Sequence, residues 1–258
     1  MHTASSSGGR GVFDDAMAYD RTINWSARFR RELPVLTDVL GPPGQAGVVD
    51  AGCGSGRHAV AMAKRGYRVV GVDASDAMLQ LARSHATRAG ARVTFVHAGY
   101  ADIVQSSGDG FDGVYCLGNA LCAAGSRQGV ADAIAQFAAC LRTGGRLFLQ
   151  ILNYVPMRTN APCVRGPRVS VVDDREHVSV RVFHFNDQTV HVTNITLSHD
   201  DGWQQHAHSG VLYALGLEEL EALCAGAHLS INHRWGSYAR DRFDVHRSTD
   251  LIIAATRV

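Results

Sequence analysis

The chain has 258 residues, 46% of them hydrophobic, and its 25 Lys and Arg against 24 Asp and Glu leave a formal charge of +1. That size fits one large α/β domain with an appended element, or two small ones, and the balanced charge supplies no basic field for nucleic acid or an anionic membrane. The apolar runs are well short of the ~20 residues of a transmembrane helix, and the Ser/Gly-rich start lacks a signal-peptide core, so a cytoplasmic protein acting on a small molecule is expected.

The first patterned stretch is Tyr19-Asp20-Arg21-Thr22-Ile23-Asn24-Trp25-Ser26-Ala27-Arg28, which reads as a helix with Ile23, Trp25, Phe29 and Leu33 on a buried stripe. Next comes Val48-Val49-Asp50-Ala51-Gly52-Cys53-Gly54-Ser55-Gly56-Arg57, a buried strand turning through three glycines into a helix. Glycines at alternate positions permit positive φ and close backbone approach to a ligand, and the N–H groups of the helix start suit a carboxylate. The dinucleotide fingerprint G-x-G-x-x-G is not met, because Gly56 follows Gly54 after one residue and Ala59 stands beyond. A helix over 59–65 then leads to Arg68-Val69-Val70-Gly71-Val72-Asp73, a second apolar strand that completes a βαβ unit. An acid at that strand end can accept hydrogen bonds from both ribose hydroxyls of an adenosyl ligand, the role expected of Asp73. Ser75 reads as the N-cap of the following helix, with Met78 one turn in.

Val93-Thr94-Phe95-Val96 is a third strand, followed by Gly99-Tyr100-Ala101-Asp102. A fourth, Phe111-Asp112-Gly113-Val114-Tyr115-Cys116, runs into Leu117-Gly118-Asn119 at the carboxyl edge of the sheet, where open α/β sheets bind ligands. A helix over 128–141, a stop at Thr143-Gly144-Gly145 and a strand over 146–152 come next. Short alternating runs at 168–172, 177–185, 189–198 and 204–213, separated by Asp-Asp, Asn-Asp and Asp-Asp-Gly turns, predict three or four antiparallel strands. A helix over 217–225 with Glu218, Glu219 and Glu221 outward precedes a closing hairpin of 229–235 and 250–256. Tyr238 falls in a loop after the sixth strand, at the same sheet edge, and is a pocket candidate.

The six cysteines show no C-x-x-C pairing and read as buried free thiols, and Asn194-Ile195-Thr196 is a chance sequon in a strand. Thirteen histidines include His206-Ala207-His208, but no third ligand is marked and no metal is expected. His206, His208 and His184 are instead candidates for a general base that accepts the proton of an amine or hydroxyl, with surface or core histidines as the plainer reading.

The glycine stretch with Asp50 before it resembles motif I of class I S-adenosylmethionine-dependent methyltransferases. Asp73-Ala74-Ser75-Asp76-Ala77-Met78-Leu79, Cys116-Leu117-Gly118-Asn119-Ala120 and Asn153-Tyr154 are similar, in the same order, to segments of glycine and sarcosine N-methyltransferases, a likeness that spans roughly residues 15–155. The resemblance implies a Rossmann-like α/β sheet, mostly parallel with an antiparallel last strand, over 15–154 and 211–258. A small inserted antiparallel β-sheet over 155–210 would form a lid on the substrate side, behind a flexible N-terminus at 1–14. It implies S-adenosyl-L-methionine as cofactor, with Asp50, Gly52, Gly54, Gly56, Asp73, Ala74 and Leu117 in contact. Trp25 and Arg28 would close over its amino acid end, and Tyr19 would approach the sulfonium. Met78 is placed against the adenine, with core packing of equal weight. Tyr100 stands where many relatives carry an acid for the adenine amino group, so stacking on Tyr100, backbone groups at Tyr100 and Ala101, or Asp102 are all open.

Asn119 is carried over as a catalytic positioning or substrate-contacting residue. Tyr154, Arg158, His206 and Tyr238 are further candidate substrate contacts, and His208 is a candidate catalytic residue, the base remaining open among His206, His208 and His184 with no indispensable base expected. The glycine enzymes carry an arginine before their Asn-Tyr pair, and Leu152 stands there instead, which removes the bidentate partner of an amino acid carboxylate unless Arg158 or Arg165 replaces it. The expected activity is methyl transfer to a small-molecule acceptor, nitrogen before oxygen, by in-line displacement in a desolvated pocket. The alternatives are a small-molecule O-methyltransferase and a non-catalytic S-adenosylmethionine-binding protein. Neither nucleic acid nor membrane is an expected partner, and a homo-oligomer is left open.

Overall fold

A strand whose every residue is buried lies at the centre of the main sheet: β1 (Val48–Ala51) sends Val49 into one hydrophobic layer and Val48 into the other. Such two-sided burial is characteristic of parallel sheets covered by helices on both faces. The computed structural model describes residues 20, 23–44, 47–159, 163–172, 175–199 and 201–258. Tyr19 and the expected flexible start at 1–14 lie outside the described residues.

Helix α1 (Trp25–Leu40) begins where the Asn24 side chain accepts the Ala27 N–H at 3.0 Å, so Trp25 and Arg28 stand in its first turn. After β1 come α2 (Arg57–Ala63), β2 (Val69–Asp73), α3 (Asp76–Ala89), β3 (Val93–His97), α4 (Ile103–Ser107), β4 (Phe111–Cys116), α5 (Arg127–Cys140) and β5 (Leu141–Leu152). Ser75 and Ser126 cap α3 and α5 by accepting the N–H groups of Met78 and Gly129. The sheet order is β10-β11-β5-β4-β1-β2-β3, with β10 (Leu229–Trp235) and β11 (Asp250–Arg257) forming the expected closing hairpin and β11 antiparallel to β5. Leu147 and Leu149 of β5 join Val49, Ile134 and Phe137 on one face, whereas Phe148 joins Leu36, Val48 and Met62 on the other.

Thr143, Gly144 and Gly145 do not separate helix from strand as predicted. The chain enters β5 at Leu141, directly after α5, and the three residues form an irregularity within the strand, where pairing with β4 jumps from Phe111–Leu141 to Gly113–Arg146. The positive φ of Gly144, 77°, supplies the kink, so the glycine pair serves a bulge rather than a helix stop.

Between α6 (Val155–Thr159) and α7 (Leu217–Gly226) stands the second sheet, a meander of β6 (Cys163–Val172), β7 (Arg175–Phe185), β8 (Thr189–His199) and β9 (Trp203–Tyr213). All three pairings are antiparallel, giving four strands. Phe183, Val190, Val192 and Leu212 at one end of this sheet are buried in the same core as Leu121, Tyr154 and Met157. That apolar contact fixes the small sheet beside the carboxyl edge of the large one. All six cysteines are free, and four of them are buried.

Candidate functional site

A cavity of about 470 Å³ opens at the carboxyl ends of β1, β2 and β4, the crevice expected where strand order reverses on either side of β1. Its wall contains Trp25, Arg28, Asp50, Gly52, Gly54, Asp73, Ala74, Met78, Tyr100 and Leu117, so most of the residues singled out as cofactor contacts converge on one space.

The glycine loop owes its shape to Asp73. One carboxylate oxygen accepts the Gly54 N–H at 2.7 Å and the other accepts the Ser75 N–H at 2.9 Å, joining the loop after β1 to the start of α3. Gly54 has φ 53°, and a Cβ built on it would meet nothing within 4 Å, so its backbone faces open cavity. Gly56 has a different task. It does not line the cavity, and a Cβ there would lie 2.6 Å from that of Ala82 and 2.9 Å from the Phe95 ring, so glycine is needed to seat α2 against α3 and β3.

Burial raises the Asp73 carboxyl above its ordinary range, against the opposing pull of the Ser75 and Gly54 N–H groups. Asp50 is more extreme. It is 2% exposed; burial, opposed by the neighbouring Tyr115 hydroxyl and joined by repulsion from Asp73, lifts it to about 8, and its Oδ2 is fully enclosed.

At the α1 end of the cavity lies a network that sequence reasoning missed. Glu32 is 1% exposed and accepts from Arg28 Nε at 2.9 Å, Arg31 Nη2 at 2.7 Å and His58 Nε2 at 2.9 Å. Burial works to raise its carboxyl, yet the His58 hydrogen bond and the Arg28 charge outweigh it and hold Glu32 at about 2. His58 lines the cavity and is kept neutral by burial. The Arg28 guanidinium lies over the Trp25 ring at 5.3 Å and packs against Gly118, where a Cβ would come within 3.0 Å of Nη2.

A second unforeseen network centres on Asp20. Its carboxylate, buried at 6% exposure, accepts from Ser55 Oγ at 2.7 Å and from Arg57 Nε at 3.1 Å, and lies 3.6 Å from His85 Nε2. The Asp20 carbonyl accepts the Trp25 indole N–H at 3.1 Å. Three chain segments, Asp20 itself, the stretch from Ser55 to Arg57 and His85 of α3, meet at this carboxylate and hold the glycine loop from behind.

Other candidates lie elsewhere. Tyr100 is in the wall, but its hydroxyl reaches beneath Gly52 toward Cys116 Sγ at 3.8 Å, and its ring stands edge-on to Phe137 at 5.5 Å. Ala101 and Asp102 are exposed and outside the wall, whose contributions from this segment are Ala98 and Gly99. Met78 is both buried and in the wall, so its two readings coincide. Asn119 sits at φ 69°, donates to the Tyr154 hydroxyl at 2.7 Å and accepts the Leu152 N–H at 2.9 Å. Neither Asn119 nor Tyr154 lines the cavity; together they tie β4 to the end of β5.

Arg158 donates to the Asp187 carbonyl at 2.6 Å and lies over Phe185, and Arg165 lies over Phe183. His184 and His206 are exposed, His208 is half-buried opposite Asn194, and none of the three is in the wall. Tyr238 is buried outside it, against Phe148 and beneath Arg31. Among the described residues no three His, Cys, Asp or Glu side chains gather as a metal site, and no helix is long and apolar enough to cross a membrane.

With this geometry the chain can be set beside known proteins. Residues 48–145, from β1 to the irregularity in β5, match the family model described as a methyltransferase domain. The chain is 32% identical over 136 residues to a glycine/sarcosine N-methyltransferase of Aphanothece halophytica, which covers 53% of this chain and 51% of the relative. It is also 32% identical over 117 residues to a ubiquinone biosynthesis O-methyltransferase of Xanthomonas axonopodis pv. citri, covering 44% and 46%. The chain thus spans about half the length of the curated relatives it matches. The solved structure of the CcbJ methyltransferase from Streptomyces caelestis superposes with a TM-score of 0.77 at 21% identity, covering 96% of this chain and 98% of that one, so the small sheet is part of the shared fold. Residues 48–145 are thus similar to a methyltransferase domain, and the whole chain shares the fold of a solved methyltransferase.

Proposed function

We propose that the chain is an S-adenosylmethionine-dependent methyltransferase acting on a small-molecule acceptor, with nitrogen favoured over oxygen. The observation that carries this reading is the presence of two carboxylates, buried Asp50 and half-buried Asp73, in the wall of one cavity. Asp73 is fixed by Gly54 and Ser75 with acceptor capacity left for a ribose, and Asp50, raised by burial in the same wall, favours an approaching ammonium. The cofactor fits these groups. When bound, it supplies a methyl group on a positively charged sulfur, and the bond to the acceptor lone pair forms as the carbon–sulfur bond breaks.

What the chain's residues contribute is position and dryness. Asp73 holds the ribose, Met78, Ala98 and Gly99 border the adenine space, and Arg28, held by Glu32, faces the amino acid carboxylate with Trp25 and His58 closing that end. The glycine loop lets the backbone approach the ligand closely, since Gly54 leaves open space where a side chain would stand. The small sheet of β6 to β9 acts as a lid beside the carboxyl edge. Alignment in a water-poor pocket is worth several orders of magnitude to a displacement reaction. Single substitutions of His206 or His208, both outside the cavity wall, are expected to leave substantial activity.

Preference for nitrogen rests on the similarity to the glycine/sarcosine enzyme, and O-methylation is the second reading because the O-methyltransferase relative is equally identical. Leu152 in place of an arginine argues against an amino acid carboxylate as the handle. Calorimetric titration with S-adenosylmethionine and S-adenosylhomocysteine tests the reading: the wild type binds both and Asp73→Ala neither. Absence of binding by the folded wild type would sink it; binding opens a screen of amines before phenols.

A further inference from the structure

The two faces of the four-stranded sheet are unlike. Cross-strand register puts Val180 opposite Ile195 and Val178 opposite Leu197 on one face, with Val169 beside Val178. Phe183, Val190 and Val192, the residues that enter the core, lie on the other. The first face therefore points away from the core, where an antiparallel sheet is ordinarily polar. Here it is a field of valines: on its outer strand Val164, Val169 and Val171 are 56%, 63% and 67% exposed. Contiguous exposed apolar surface on a sheet, with two unpaired strand edges beside it, marks a surface that is covered in the working molecule.

We infer that this face is covered by the same face of a second copy of the chain. A flat surface of β-branched side chains is complementary to itself and packs sheet on sheet at a spacing of ~10 Å. The ionisable groups on this face sit at its two ends: Glu176 opposite His199 at one, and His184 opposite His191 at the other. Val180 and Ile195 lie midway between those ends. A two-fold axis in the interface plane, crossing the strands at Val180 and Ile195, lays Glu176 of each copy over the His184–His191 end of its mate. Each Glu176 carboxylate thereby meets imidazole donors at both ends while the centre stays apolar, as an isologous interface requires. The area suffices: four strands about 4.8 Å apart and about nine residues long present roughly 600 Å² per copy, or about 1,200 Å² for the pair, the threshold for a stable interface.

Sedimentation velocity on the full chain across the micromolar range is the test, read against the 27.7 kDa of one copy. The wild type is expected at twice that mass. Val180→Lys, which places two ammonium groups at the axis, is expected to weaken association by at least about tenfold. Val169→Lys, on an exposed outer strand where a lysine is accommodated without repacking, gives the same direction if Val180→Lys does not fold. Unchanged circular dichroism and S-adenosylmethionine affinity would show that the variants act on association alone. A wild type that runs at 27.7 kDa throughout overturns the inference and leaves the face to a different protein. A dimer that persists in both folded variants overturns it equally, since the copies then meet elsewhere.

Discussion

The Asp73 carboxylate accepts the Gly54 N–H at 2.7 Å, so the acid at the end of β2 shapes the loop at the end of β1 as well as facing the cavity. In the proposed function one residue is then both a ligand contact and the brace of the loop. Asp73→Asn separates the two, because the amide keeps one acceptor but presents donors toward the Gly54 or Ser75 N–H. Loss of hydrogen bonds to a charged group costs ~1.5–3 kcal/mol each, so Asp73→Asn is expected to weaken S-adenosylmethionine binding by about 10- to 100-fold, and Asp73→Ala to abolish it. Calorimetry on the two variants checks the order.

Asp50 makes cofactor binding a proton-linked event. Its folded-state carboxyl is raised to about 8 by burial, so near neutral pH the empty cavity holds it protonated. An arriving ammonium favours the carboxylate, and binding below pH 8 is expected to release close to one proton, falling to none above it. Titrations in buffers of different ionisation enthalpy measure that number directly. For stability the sign is the reverse of an ion-paired acid. The unfolded chain ionises Asp50 first, so its contribution is present at low pH and is lost as pH rises from about 4 to about 8. Asp50→Asn should therefore stabilise the cofactor-free protein at pH 8 while weakening its affinity for the cofactor.

How much of this was legible in the sequence follows from distance along the chain. The βαβ unit and the convergence of Asp50, Gly54 and Asp73 were readable because strand, glycine loop and acid lie within one local unit. The strands of the small sheet were readable because alternation and Asp-rich turns bracket each run. By contrast, Glu32 reaches His58 across 26 positions, Asp20 reaches Ser55 across 35, and Asn119 reaches Tyr154 across 35. No periodicity reports such pairs, since tertiary packing alone brings them together. Gly56 and the Gly144-Gly145 pair show a different ambiguity: a glycine that admits a ligand, one that admits a helix and one that kinks a strand are identical in sequence.

Glu32 should govern acid stability. Its folded-state carboxyl lies at about 2, below the ordinary 4.5, so it stabilises the fold fully above pH 4.5 and loses that contribution as pH falls through 2. The depression corresponds to about 3 kcal/mol at neutral pH. Glu32→Gln is expected to lower unfolding free energy by about that amount at pH 7 and by about half as much at pH 3, as measured by urea denaturation at the two pH values.

Asp20 offers a test of whether the buried network behind the glycine loop serves binding or mere cohesion. The carboxylate meets Ser55, Arg57 and His85, one of which borders the cavity directly, and its backbone carbonyl fixes the Trp25 indole. Removing it leaves the Ser55 hydroxyl and the Arg57 guanidinium without their acceptor, at a cost of ~1–3 kcal/mol. If the network only held the fold together, Asp20→Ala would lower the melting temperature and leave cofactor affinity intact. Because the carboxylate holds Ser55 and also Arg57, whose guanidinium lies over Trp25, and both Ser55 and Trp25 are in the cavity wall, we expect affinity for S-adenosylmethionine to fall about tenfold as well, with a weaker change in tryptophan fluorescence on binding than in the wild type. Asp20→Asn, which keeps an acceptor for Ser55 but loses the charge that pairs with Arg57, should recover most of the melting temperature and only part of the affinity.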